Sequence, residues 1–215
     1  MMKIKHGILL ILILLFTGLF ISCTTEVTLT LLPDNSVAIE FEGGAGQAFT
    51  KMLASASGLT GEGAASSIID AQEVSYELAR SGFAEVKVEE KKGGLVQIKM
   101  KDKNRSSYVF TSGIIKEEKG SLSTAITRKS LEDFYKSADE QTRMTLDLLL
   151  APVFNDEVMS EAEYLEMLAS FYGQAAADEV SQSFVKINLI SKDASKGSSK
   201  QTLRYPLSQL LCGNL

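Results

Sequence analysis

Hydrophobic and polar residues alternate from the first residues after position 25. Val27, Leu29 and Leu31 share one face of an extended segment, while Glu26, Thr28 and Thr30 occupy the other. Pro33-Asp34-Asn35-Ser36 has turn chemistry, and Val37, Ile39 and Phe41 restore the two-residue period, so a hairpin is predicted. A second hairpin follows the same logic, with Val86 and Val88, then Lys92-Gly93-Gly94, then Val96, Ile98 and Met100. Further strands are expected around Tyr108 to Ile115 and Leu122 to Thr127, separated by a polar turn from Lys116 to Gly120. Val185, Ile187 and Leu189 alternate again, Lys192 to Lys200 reads as a Ser-Lys loop, and Leu203 and Tyr205 suggest a short last strand before Pro206.

Helical spacing interrupts these strands. A Gly-, Ala- and Ser-rich stretch from Gly43 to Gly63 carries a short predicted helix between Gln47 and Ser57, with Phe49, Met52 and Leu53 as its apolar residues. Ser66 or Ser67 caps the next helix, which carries Ile68, Ala71, Val74 and Leu78 on one face and stops at Gly82. Between Ser130 and Gln182 the chain is helical, with capping boxes at Ser130-Leu131-Glu132-Asp133 and Ser160-Glu161-Ala162-Glu163. Leu165, Leu168, Ala169 and Tyr172 form a stripe after the second box, and Pro152 ends the helix carrying Met144, Leu148 and Leu149. The expected class is therefore α+β: an antiparallel β-sheet with helices packed on one face and a helical insertion at about residues 130–182, all in one domain from residue 23 to 215. The pattern leaves the strand order open.

The N-terminal residues have a different character. Lys3 and Lys5 precede an apolar run from Ile8 to Phe16, as in an export signal. The run reaches only to Ile21, short of the roughly 20 residues that a spanning helix needs. Leu19-Phe20-Ile21-Ser22-Cys23 resembles a bacterial lipobox, in the relaxed form of spirochaete lipoproteins, with Phe20 where Leu is usual. The resemblance implies a signal peptide over residues 1–22, lipidation of Cys23 and anchoring by acyl chains on the extracytoplasmic side of the cell envelope. Inner membrane, outer membrane and surface all remain open, although Thr24 is not the Asp that retains enteric lipoproteins at the inner membrane. Each buried acyl methylene contributes about 0.8 kcal/mol, so several chains on one Cys anchor durably without a second span. Only two Thr separate Cys23 from Glu26, a reach of about 10 Å, which places the domain against the membrane. The hairpin at Pro33-Asp34-Asn35-Ser36 is also similar to the opening of mycobacterial LppM-type lipoproteins, a likeness confined to the N-terminal part that implies no particular function.

Composition narrows the chemistry. The 215 residues carry a net charge of −5, and losing Lys3 and Lys5 with the signal takes this to −7, which disfavours nucleic acid as a partner. The one histidine is His6, so the expected mature chain has no imidazole for a catalytic triad, a general base or a zinc site. With Cys23 lipidated, Cys212 lacks a partner, and its neighbours Leu210, Leu211 and Leu215 favour a buried, inert thiol over an intermolecular disulfide.

The remaining motifs have plainer readings. Gly44-Ala45-Gly46-Gln47-Ala48-Phe49 sits between a strand and a helix, as a phosphate-binding turn does, but the hairpin context favours an ordinary Gly loop. Ser183-Phe184-Val185-Lys186 has Ser-x-x-Lys spacing without the partner motifs of a serine acyl enzyme. Glu89-Glu90, Glu117-Glu118 and Asp156-Glu157 read as solvated charge rather than a glycosidase pair, and Lys99, Lys101 and Lys103 at most touch anionic head groups. No catalytic residue, metal site or cofactor is expected. The first functional expectation is a non-enzymatic envelope lipoprotein that binds a partner protein or scaffolds an assembly. The alternative is a carrier or sensor of a small apolar ligand. The surface or pocket in either case would draw on Phe134, Tyr135, Met144, Phe154, Tyr164, Phe171 and Tyr172, and core packing is the competing explanation for those aromatics. A carboxylate-based envelope hydrolase ranks last.

Overall fold

The computed structural model describes residues 25–44, 46, 48, 51, 71–91, 95–137, 143, 147, 159–193 and 197–213. Lys92-Gly93-Gly94, Cys23 and the residues around Pro152 lie outside them, as do most of the predicted helix from Gln47 to Ser57 and the cap at Ser66 or Ser67.

Strands β1 (Thr25–Leu31) and β2 (Val37–Gly44) form the first hairpin, in register from Glu26 opposite Glu42 to Leu31 opposite Val37. Its turn closes through local chemistry: Leu32 N–H donates to Ser36 O at 2.9 Å, and Asp34 Oδ1 accepts from Ser36 N–H at 3.0 Å. Asn35 takes a positive φ of 62°, which Asn tolerates better than most residues. Helix α1 (Ala71–Arg80) buries Val74 and Leu78 and stops at Gly82, whose φ of +93° reverses the chain into β3 (Ala84–Glu90). Strand β4 (Leu95–Asp102) pairs with both β3 and β2.

The segment from Tyr108 to Ile115 departs from the expected strand. Tyr108–Thr111 is a single helical turn, α2, and only Ile115 begins strand β5 (Ile115–Glu118). Tyr, Val, Phe and Thr favour extended structure, but buried Asp102 overrides this by gathering the loop before them. Its carboxylate accepts from the N–H groups of Asn104, Ser106 and Ser107 at 3.1, 3.3 and 3.1 Å. The expected polar turn also contracts: β5 and β6 (Ser121–Thr124) are joined by Lys119 and Gly120 alone, both at positive φ, as a tight two-residue hairpin requires.

Helix α3 (Arg128–Ser137) begins earlier than Ser130. Its box is Thr127 with Ser130: Ser130 N–H donates to Thr127 Oγ1 at 3.1 Å, and Thr127 N–H to Ser130 Oγ at 2.9 Å. Ser130 therefore sits inside the first turn rather than before it. The box at Ser160 stands as expected at the head of α4 (Glu161–Tyr172), where Ser160 and Glu163 satisfy each other's backbone N–H groups. Helix α5 (Gln174–Gln182) leads into β7 (Phe184–Asp193), which pairs over ten residues with β8 (Gly197–Pro206), and α6 (Leu207–Cys212) follows. Most of the expected Lys192–Lys200 loop is thus strand. Ser198 to Thr202 are exposed, so no buried face imposes an alternation there.

The fold is α+β. Six strands form one sheet in the order β3-β4-β2-β1-β7-β8, and β5-β6 form a separate pair. The large sheet is antiparallel except for β1 beside β7, which run parallel from Thr25 opposite Val185 to Thr30 opposite Ile190. On its dry face Val27, Leu29, Val37, Ile39, Phe41, Val96, Ile98, Val185, Ile187 and Leu189 join Val74, Leu78, Tyr164, Leu168, Val180, Leu207 and Leu211 of the helices in one hydrophobic cluster. Ser191 Oγ accepts from Leu122 N–H at 2.9 Å and ties the small hairpin to β7.

Candidate interaction surface

The opposite face of the sheet is polar, and strand register arranges it in rows. One row runs Glu89, Gln97, Glu42, Glu26, Lys186, Arg204 from β3 to β8, and the next runs Lys87, Lys99, Glu40, Thr28, Asn188, Thr202. Glu26 faces Glu42 and Lys87 faces Lys99, like charges that oppose strand pairing unless neighbours offset them. The neighbours do so: Gln97 Nε2 donates to Glu42 at 3.1 Å, Lys186 Nζ lies 3.1 Å from Glu26, and Glu89 pairs with both Lys87 and Lys91. The two lysine partners hold Glu89 down to about 2.

The centre of this face is a closed polar network. Asn188 is only 1% exposed although it points to the wet side. Its amide donates to Glu26 and, at 3.2 Å, to Thr28 Oγ1, while its carbonyl accepts from Thr202 Oγ1 at 2.9 Å. Three strands are stitched by one side chain whose buried groups are satisfied. Burial opposes ionisation of Glu26, but hydrogen bonds from Lys186 and Asn188 and the charges of Lys186 and Lys200 outweigh it and hold the carboxyl below its usual range. Beside the network, the Arg204 guanidinium stacks on Phe184 with 3.1 Å to the ring centroid and makes no ion pair among the described residues.

The sequence motifs resolve into structural roles. Ala48 N–H donates to Glu179 Oε2 at 3.1 Å, and a Cβ on Gly46 would fall 1.7 Å from Glu179 Oε1. The Gly loop therefore receives a carboxylate of its own chain where a phosphate would sit. Ser183 Oγ donates to Glu179 O at 2.7 Å on the dry side, whereas Lys186 engages Glu26 on the wet side, so the Ser-x-x-Lys pair never meets. Glu117 pairs with Arg105 at 3.0 Å, and Asp156-Glu157 lies outside the described residues. Lys99 and Lys101 pair with Glu40 and Glu85. Cys212 is buried and free, its thiol 3.7 Å from Gln209 O. Among the described residues no group of three or more His, Cys, Asp or Glu side chains is placed to hold a metal ion.

The aromatic set does not form one surface among the described residues. Tyr164 is fully buried in the core, and that burial drives its hydroxyl far above the ordinary phenol range. Tyr172 is half-buried, and Phe171 beside it is 76% exposed, with ring centroids 6.3 Å apart. Tyr135 belongs to α3, where a hydrogen bond to Asp147 raises its hydroxyl pKa. Met144, Phe154 and the Phe134 side chain lie outside the described residues. The sequence reading missed the Glu26-Asn188-Thr202 network. Its one local signal was an Asn between Ile187 and Leu189, and the partners come from strands brought together only by the fold.

Among the described residues no helix is long and apolar enough to cross a membrane. Comparison of the chain with protein-family models, with curated proteins and with solved structures finds no match in any of the three.

Proposed function

We propose that the protein is a lipid-anchored envelope protein that binds a partner through the wet side of its sheet and performs no catalysis of its own. The observation that carries this reading is the position of Thr25. It is buried and already paired with Val185 in an inner strand, two residues after the lipobox-like Cys23. An acyl group on Cys23 would thus attach to the sheet itself with almost no tether, holding the domain against the bilayer at the end where β2 finishes and β7 begins. The side chains that resembled catalytic or phosphate-binding motifs, Ser183, Lys186 and the Gly46 loop, are engaged within the fold. Among the described residues, the charged sheet face is the surface that this reading assigns to recognition.

The test is a photoreactive residue placed at Glu40 or Lys99 in the full chain, in the membranes of the cell that makes it. The expected result is a discrete crosslinked envelope protein that disappears when Cys23→Ala releases the chain from the membrane. Crosslinks unaffected by that substitution, or none from either position, would overturn the reading.

A further inference from the structure

The two edges of the large sheet are built differently. On β3 the register shifts between Ala84 and Lys87, with Glu85 at a φ of 57°, so this edge is bulged and unsuited to another strand. On β8 the pairing with β7 runs from Gly197 to Pro206 without a shift. Among the described residues β8 has no strand on its outer side.

The direction of its free backbone groups follows from the ladder. Leu207 N–H donates to Ser183 O at 2.9 Å, and inward and outward bonding alternate along an antiparallel pair. Gln201, Leu203 and Tyr205 therefore face β7 with their backbone groups. Ser198, Lys200, Thr202 and Arg204 turn their N–H and C=O outward, and the same four residues carry their side chains on the wet face. Two of the four are cationic and neither makes an ion pair with an acid among the described residues, although the charge of Lys200 reaches Glu26; Lys186, opposite Arg204, is already paired with Glu26. On the other face Leu203 and Tyr205 are half-buried apolar residues that an added strand would cover.

Resting on the partner-binding reading above, we infer that β8 is a docking edge for an extended acidic segment of another protein, added antiparallel as a seventh strand. Acidic residues at positions i and i+4 meet Arg204 and Lys200, a small β-branched residue between them meets Thr202, and apolar residues at i−1 and i+1 cover Tyr205 and Leu203. A second copy of the chain fits less well, because an antiparallel self-pairing centred on Thr202 sets Lys200 against Arg204.

The probe is the end-blocked heptapeptide Val-Glu-Val-Thr-Val-Glu-Val, added to the full chain in detergent, with amide hydrogen exchange read residue by residue. The expected result is new protection at Lys200, Thr202 and Arg204, with Gln201 and Leu203 unchanged because β7 already holds them. Replacing both Glu of the peptide by Lys should weaken binding by roughly tenfold or more, and the double substitution Lys200→Glu with Arg204→Glu should reverse that preference. Equal binding of both peptides, or protection elsewhere, would overturn the inference. So would protection of these amides in a dimer without peptide, which assigns the edge to a second copy. Each of these failures leaves the crosslinking result at Glu40 and Lys99 standing, so the loss of the edge and the loss of the partner reading are distinguishable.

Discussion

The two faces of the six-stranded sheet use the same strands for opposite purposes. The dry face is specified one residue at a time: Val27, Leu29, Ile39, Ile98 and Leu189 each bury an apolar side chain against helices, and each is legible in its own strand. The wet face is specified by register. Glu26, Asn188 and Thr202 gain their roles only because β1, β7 and β8 are neighbours, an order that includes the parallel β1-β7 pair. The contrast teaches how each face is encoded: the core-forming face shows in periodicity within single strands, whereas the polar face is assembled only by the order of the strands.

Substitutions that separate the faces should differ in size. Leu168→Ala, at a fully buried position of α4, should cost about 2 to 5 kcal/mol in denaturant unfolding, through lost burial and a cavity. A loss below about 1 kcal/mol would show that the helical layer is dispensable to the dry face. Asn188→Ala should cost roughly 1 to 3 kcal/mol despite lying on the wet side, because it removes the buried amide whose hydrogen bonds join Glu26, Thr28 and Thr202, one of them to a charged group. A neutral result would erase the distinction between the network and its solvated surroundings.

Acid titration sharpens the same comparison with a smaller effect. The carboxyl of Glu26 is held below its ordinary value of 4.5 in the folded protein, so its contribution is present above the unfolded pKa and is lost as pH falls through the folded one. Glu26→Gln should therefore lower stability at neutral pH and flatten its decline on acidification below about pH 4.5. Equal acid sensitivity of the two proteins would place the anionic contact elsewhere. The smallest effect is expected for Lys99→Ala, whose 3.6 Å pair with Glu40 is solvated on both sides, with a change within about 0.5 kcal/mol.

Local chemistry made much of the fold readable. Both leading hairpins, the stop at Gly82 and the Ser160-Glu163 box follow from short-range turn and capping rules, and the structure contains all of them. The misreadings have separate physical causes. Tyr108–Thr111 has strand-forming residues, but Asp102 fixes the preceding loop so that one helical turn is the continuation. Ser130 looked like a cap because Thr127, three residues earlier, offers the same hydroxyl. Strand β8 was only half visible because polar residues on both sides give no period. The Glu179 carboxylate in the Gly46 loop lies 131 residues from Ala48, beyond any local pattern.

The most direct test of the account is the intact mass of the chain extracted from the membranes of its own cell, with fragmentation of its N-terminal peptide. The expected result is a polypeptide beginning at Cys23 and carrying acyl mass on that residue, lost in Cys23→Ala. An N-terminus at Met1, or an unmodified Cys23 in a chain recovered free of membrane, would contradict the anchored reading and remove the reason for placing this sheet at a bilayer.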